Sequence, residues 1–316
     1  MSSLAFILLQ IIVLVILAPL SSGIIAKVKA ISQKRKGPPL LQRYLDLFKL
    51  FKKEMVISET ASWVFRATPY ITIVTALLAG LFVPITLQLG SLGFAGDLIL
   101  VVYTLGLGRF FMALAALDTG STFGGMGSSR EMLISALMEP ALLVALFTLG
   151  LLSGSTSIYQ IMYTSASSGF IMLQPVYWLL AAAIFIILIA ETARIPVDDP
   201  ATHLELTMVH EAMLLEYSGR YLALMELAAA VKQLIFLTLL ANIFIPLGGL
   251  FTLVSPAASL VSSLAVYFLK IVFLSLIIGL FEINTVKLRF FSVPNLAAVS
   301  FTLSFLAFVQ YYVIGR

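Results

Sequence analysis

The residues with the most chemistry to offer lie together in one polar stretch between apolar runs. Glu191-Thr192-Ala193-Arg194-Ile195-Pro196-Val197-Asp198-Asp199-Pro200 leads into Ala201-Thr202-His203-Leu204-Glu205-Leu206-Thr207-Met208-Val209-His210-Glu211. Carboxylates and imidazoles are the side chains that pass protons near neutrality, and here they alternate over a short distance. Asp199 before Pro200 reads as an N-cap with proline at the first helical position, so a helix is expected to start there. Helical spacing then places His203, Thr207 and His210 on one stripe, and Glu205 and Glu216 on another, about three turns apart. His210-Glu211 opens a string like that of zinc proteases, but Leu214 stands where the second histidine belongs, which removes that chemistry. Two histidines seven apart make at best a weak metal pair. Hydrogen bonding to a partner, or a proton relay, is the better reading.

The elements that position these groups follow from composition. Of 316 residues, 61% are hydrophobic and 11% charged. Soluble domains carry about 25% charged residues, so a soluble globular protein is excluded. The absence of cysteine rules out disulfides, thiolate-bound clusters, cysteine-bound zinc and a cysteine nucleophile. Runs of about 20 apolar residues are needed to cross a bilayer core. Eight are found, at Leu4–Ser22, Pro69–Gln88, Leu98–Leu117, Met132–Leu152, Leu173–Ala190, Leu222–Leu247, Leu260–Phe281 and Pro294–Ile314. The first lacks the basic flank of a signal peptide and is read as a span. The expected architecture is an all-α integral membrane protein of about eight transmembrane helices, one domain over residues 1–316.

Basic residues in short loops mark the cytoplasmic side. Ten of the 19 Lys and Arg fall between Gly23 and Thr68, among them Arg35 and Lys36, and Arg130, Arg194, Arg220, Lys287 and Arg289 fall in alternate loops on the same side. Only Arg316 lies opposite. Both termini are therefore expected outside the cell membrane, with four charged loops inside. Acids follow the same asymmetry, which orientation does not demand, so that face is read as a docking surface with Arg35, Lys36, Arg130 and Arg194 as partner contacts. No nucleic-acid partner is expected.

Leu41, Tyr44, Leu45, Phe48 and Phe51 share one stripe opposite Gln42, Arg43, Asp46, Lys49 and Lys53, which predicts an amphipathic helix at the lipid interface after the first span. The glycines from Gly120 to Gly127 match no phosphate-binding spacing, and a tight re-entrant turn is expected there. Charges inside the bilayer are costly and so functional candidates. At about 1.5 Å per residue, Glu226 lies roughly 6 Å from the charged end, Glu139 about 11, Arg109 about 12, Lys232 about 15 and Lys270 about 16. Arg109 and Glu139 sit on consecutive spans and are expected to pair. No charge is expected in the outer half, so the path would be a polar half-channel continued by another subunit.

Several segments carry a resemblance: Arg35-Lys36-Gly37-Pro38 with Leu41 to Leu50, Phe65-Arg66-Ala67-Thr68-Pro69-Tyr70, Gly108-Arg109-Phe110-Phe111, Asp118-Thr119-Gly120-Ser121, Ser129-Arg130-Glu131, Glu139-Pro140 and Glu216-Tyr217-Ser218-Gly219. On these the chain resembles the family of complex I subunit 1 and its relatives in energy-converting hydrogenases. Asp118 to Ser121 and Glu191 to Glu205 are similar to the branch in membrane-bound NiFe hydrogenases and formate hydrogenlyase. Quinone-linked members typically read Pro-Phe-Asp where Pro196-Val197-Asp198 stands, and carry acids where Thr202 and His203 stand, which argues against a quinone site. The resemblance implies a chain that binds no cofactor or metal itself and has no catalytic residue. It would anchor hydrogenase-like large and small peripheral subunits carrying 4Fe–4S clusters and a NiFe centre, fed by ferredoxin, beside antiporter-like membrane subunits and lipid. It assigns Glu139, Glu191, Asp198, Asp199, Glu205, Glu211 and Glu216 to an acidic link between redox site and ion path. Asp118, Glu131, His203, His210, Glu226, Arg109 and Lys232 complete the candidates. The alternatives are the quinone-binding membrane subunit of a complex I-type dehydrogenase and a stand-alone cation exchanger.

Overall fold

A computed structural model describes residues 3–89, 92–167, 174–199, 208–246 and 256–314. The regular elements described are helical: α1 Ser3–Ser32, α2 Gln42–Lys52, α3 Trp63–Phe82, α4 Asp97–Asp118, α5 Thr122–Ser153, α6 Ile158–Ser167, α7 Pro175–Glu191, α8 His210–Leu214, α9 Gly219–Phe244, α10 Pro256–Asn284 and α11 Val293–Ile314, with short 3₁₀ turns at Leu87–Leu89 and Phe290–Ser292. Seven of these are long and apolar enough to cross a membrane, and α7 is a shorter apolar helix. The chain is a multi-pass membrane protein. Each of the eight expected runs is occupied by a helix, and α9 is the most buried of the long spans, packed on by α1, α3, α7 and α10.

Two helices begin earlier than apolarity alone predicts. α3 starts at Trp63 and carries Pro69 within it. That proline has no N–H to give the Phe65 carbonyl one turn back. Tyr217 supplies the missing donor, its hydroxyl 3.0 Å from the Phe65 oxygen, while its ring stacks on Phe65 with centroids 4.0 Å apart. The expected turn is confined to Gly120, which takes a φ of 67° between α4 and α5; for the other glycines it is corrected, since α5 runs unbroken from Thr122 through Gly124, Gly125 and Gly127. These glycines serve packing. A Cβ at Gly124 would lie 2.6 Å from the Ala116 carbonyl of α4, and one at Gly127 2.8 Å from the Ala212 Cβ of α8.

α2 is the expected surface helix, with no buried residue and with Leu41, just before it, and Phe48 both 60% exposed. α7 ends in a tight reversal: Ala193 N–H bonds the Ala190 carbonyl, Arg194 N–H bonds that of Ile189, and Ala193 takes a left-handed φ of 49°. This pattern closes a helix and turns the chain back. It leaves Glu191 on the last helical turn facing inward and sends Arg194 under the bundle. The helix expected from Pro200 through Glu216 lies outside the described residues as far as 207; beyond them it is corrected, since residues 208 and 209 are not helical and α8 spans only His210–Leu214.

Candidate functional site

Four helices deliver one charge each to a common point. Arg109 of α4 places Nη2 2.6 Å from Glu139 Oε1 of α5 and Nη1 2.5 Å from Glu191 Oε1 of α7. Lys232 of α9 closes the group, its Nζ 2.9 Å from Glu191 Oε2. The expected Arg109–Glu139 pair is present, and Glu191 is the hinge between two cations, its side chain only 2% exposed. Buried ions survive only when paired, and here two carboxylates face two cations. Glu139 differs from the rest. Its side chain is 35% exposed, against 6% for Arg109, because the neighbouring position on α4 is Gly106, where a Cβ would come within 3.4 Å of Glu139 Oε1.

A second layer lies nearer the charged loops. His210 at the start of α8 faces Glu131 of α5, Nδ1 3.9 Å from Oε1. Burial works against the imidazolium, but the neighbouring Glu131 carboxylate outweighs it, so the His210 pKa is raised. Asp198, almost wholly buried, takes Lys287 Nζ at 2.7 Å and the backbone N–H groups of Asp199, Val209 and His210. Glu282 at the end of α10 binds Lys29 at 3.0 Å and Arg194 at 3.2 Å, and Arg194 also donates to Gln233 Oε1 at 2.6 Å. Between these groups lies a cavity of about 120 Å³ that Arg43, Asp198, His210, Glu211, Glu226 and Gln233 help to line. That is room for several waters. A further cavity of about 70 Å³ touches His210, Glu191, Lys232 and Arg109. His210 borders both.

Of the sequence candidates, Arg109, Glu139, Glu191, Lys232, Glu131, His210 and Asp198 thus converge, and Glu211 and Glu226 line the cavity. Asp199 lies 3.9 Å from Lys29. Asp118 does not join them: its carboxylate accepts the Ser62 N–H at 2.7 Å and fixes the start of α3. Glu216 is exposed. His203 and Glu205 lie outside the described residues. Of the expected docking residues, Arg194 turns inward to Glu282, and Arg130 donates to the Met208 carbonyl at 3.0 Å while lying over the Phe290 ring. Arg35 and Lys36 are exposed. The sequence reading missed Glu282, Lys29, Lys287 and Gln233 as members of the site. It also misplaced Lys270, which reaches toward the far end of the bundle to bond Asn242, so the far half is not without charge. Among the described residues no group of three or more His, Asp or Glu is set to hold a metal.

Known proteins match this chain over nearly its full length. Hydrogenase-4 component C of Escherichia coli is 36% identical over 306 residues, covering 96% of this chain and 94% of that protein. Formate hydrogenlyase subunit 4 of the same organism is 35% identical, covering 96% and 97%. NADH-ubiquinone oxidoreductase chain 1 of Lampetra fluviatilis is 31% identical over 228 residues, 68% of this chain and 67% of that protein. A chain of the membrane-bound sulfane sulfur reductase, an archaeal respiratory membrane complex, has the same fold, with a TM-score of 0.86 over 98% of this chain and 99% of that one at 23% identity. With residues 4–312 matching the family described as NADH dehydrogenase, and with these relatives alongside, the chain belongs to that family.

Proposed function

We propose that this chain is the membrane anchor and coupling subunit of a ferredoxin-linked, ion-translocating redox complex of the membrane-bound hydrogenase kind. Its relatives are named as a component of hydrogenase-4 and a subunit of formate hydrogenlyase. The charged loops face the cytoplasm and carry hydrogenase-like large and small subunits, whose 4Fe–4S clusters and NiFe centre do the electron chemistry. Antiporter-like subunits pack laterally. The observation that carries this reading is Glu139: a carboxylate at membrane depth, paired to Arg109 yet 35% exposed on the flank of the chain. A charge facing lipid costs several kcal/mol, so that flank needs a polar partner. The network then runs from Asp198 and His210 through Glu191 and Arg109 to Glu139, and an electron arriving on a nearby cluster makes its carboxylates easier to protonate.

The test is purification from native membranes and reconstitution. The chain should copurify with iron–sulfur and nickel-containing polypeptides, and alone in liposomes should carry no nickel or iron and no pH-driven proton or sodium flux. Flux through the isolated chain would overturn the proposal in favour of a self-contained exchanger.

A further inference from the structure

The far end of the bundle, opposite the charged loops, holds a buried cation that the carboxylate network does not reach. Lys270 lies midway along α10 and is 6% exposed. Its Nζ donates to Asn242 Oδ1 at 3.3 Å, and no carboxylate comes within ion-pair distance among the described residues. The Asn242 amide is fixed in that orientation, since its nitrogen donates to the carbonyls of Pro84 at 3.1 Å and Ile85 at 2.9 Å. The one acid on this side is Asp97, whose oxygens already bind Ser157 Oγ and Ile158 N–H. Residues 90–91, 168–173 and 247–255 contain no Asp or Glu that would serve instead.

Beside the ammonium is a cavity of about 40 Å³, lined by Thr86, Gln88, Asn242, Ser263, Tyr267 and Lys270. The Thr86 hydroxyl, 6% exposed, has no partner among the described residues. A space of that size with several polar walls holds one water. On α9, Lys232 and Asn242 are separated by about 15 Å along the helix axis. Between them, beyond Gln233, Ile235, Phe236 and Leu239 are buried, and the side-chain polar contact there is that of Thr238 with Tyr267 at 2.7 Å. The two charged regions are therefore divided by an apolar layer. An ammonium without a counter-charge is costly at such depth, and the cavity offers it water rather than an anion.

We propose that this pocket is a second proton-exchange site, open to the water phase at the far end, with Lys270 as the exchanging group. The step is a transfer from the Lys270 ammonium to the cavity water, leaving the amine and a hydronium ion, and its reverse. The role in translocation rests on the coupling function proposed above, whereas access to the pocket from the far side does not.

Because the chain has no cysteine, Lys270→Cys in the intact complex reports access directly. A small, charged thiosulfonate added from the far side should modify it at least five-fold faster than the same reagent added from the charged side, as read on that peptide by mass spectrometry. Modification only from the charged side, or from neither, overturns the proposal. Lys270→Arg keeps the charge and the assembly but holds its proton, so ion flux should fall at least five-fold with electron transfer unchanged. Wild-type flux in that variant also overturns it. Glu139→Gln in the same assay separates the two ideas. If it lowers flux while Lys270→Arg does not, Lys270 only packs α10 on α9 and the coupling function stands. If neither lowers flux, the coupling function falls as well.

Discussion

Arg109 holds Glu139 at 2.6 Å, yet the arginine is sealed inside the bundle and the glutamate opens onto its flank. The pair therefore joins an interior that cannot change its charge cheaply to the flank of the bundle, the surface proposed to meet another subunit. That asymmetry gives different expectations for the charges on either side.

Glu191 is the interior case. Its removal leaves Lys232 without a carboxylate and Arg109 with Glu139 alone, and breaking a buried pair from one side costs about 3–5 kcal/mol. Glu191→Gln should therefore sharply reduce the amount of assembled complex in membranes. Adding Lys232→Met to that variant removes the orphaned cation and leaves Arg109 with Glu139, so assembly should recover substantially. Blue-native gels of the two variants check this, and a double variant as poorly assembled as the single one would contradict the pairing.

The contact between His210 and Glu131 gives a pH dependence with a definite sign. Burial and Lys232 disfavour the imidazolium, Glu131 and Glu211 favour it, and the balance raises the His210 pKa. A group whose pKa is raised on folding stabilises fully below its unfolded value, about 6.5 for histidine, and loses that contribution as pH rises through the folded value. Thermal stability of the purified complex should thus differ between wild type and His210→Gln below about pH 6.5 and converge on the alkaline side. A difference that grows with pH would contradict this.

Packing of α5 on α8 supplies an internally controlled comparison. A Cβ at Gly127 meets the Ala212 Cβ at 2.8 Å and the Val209 carbonyl at 2.9 Å, whereas one at Gly125 has its nearest neighbour at 3.9 Å. Overpacking a tight contact costs about 1–3 kcal/mol. Gly127→Ala should lower the melting temperature of the complex and displace His210 from Glu131, while Gly125→Ala should be neutral or slightly stabilising, since alanine suits a helix better. Equal effects of the two would remove the argument that Gly127 exists for close approach.

Much of the fold is legible in the residues, and the exceptions share a cause. Apolar runs place the spans, and the spacing of Leu41, Tyr44, Leu45 and Phe48 places α2, because lipid leaves one pattern on every segment it touches. Apolarity marks the membrane and not the helix, however. α1 continues past the expected end at Ser22 to Ser32, which carries Lys29 to Glu282, although by sequence both read as loop charges. Pro69 reads as a helix boundary until Tyr217, far along the chain, satisfies the carbonyl it frees. The glycines before Arg130 read as a turn because their function is the space they leave for α4 and α8, which no local pattern records. Distance from the charged end places the Lys270 backbone, but its long side chain points the other way.

The most direct measurement is Glu139→Gln in the intact complex reconstituted in vesicles, with electron transfer to an artificial acceptor and ion flux recorded on the same preparation. Glutamine keeps the size of the side chain and leaves Arg109 paired with Glu191. The expected result is near-normal electron transfer with ion flux reduced several-fold. Equal loss of both activities in a fully assembled complex, or undiminished flux, would contradict the assignment of this chain as the element that couples them.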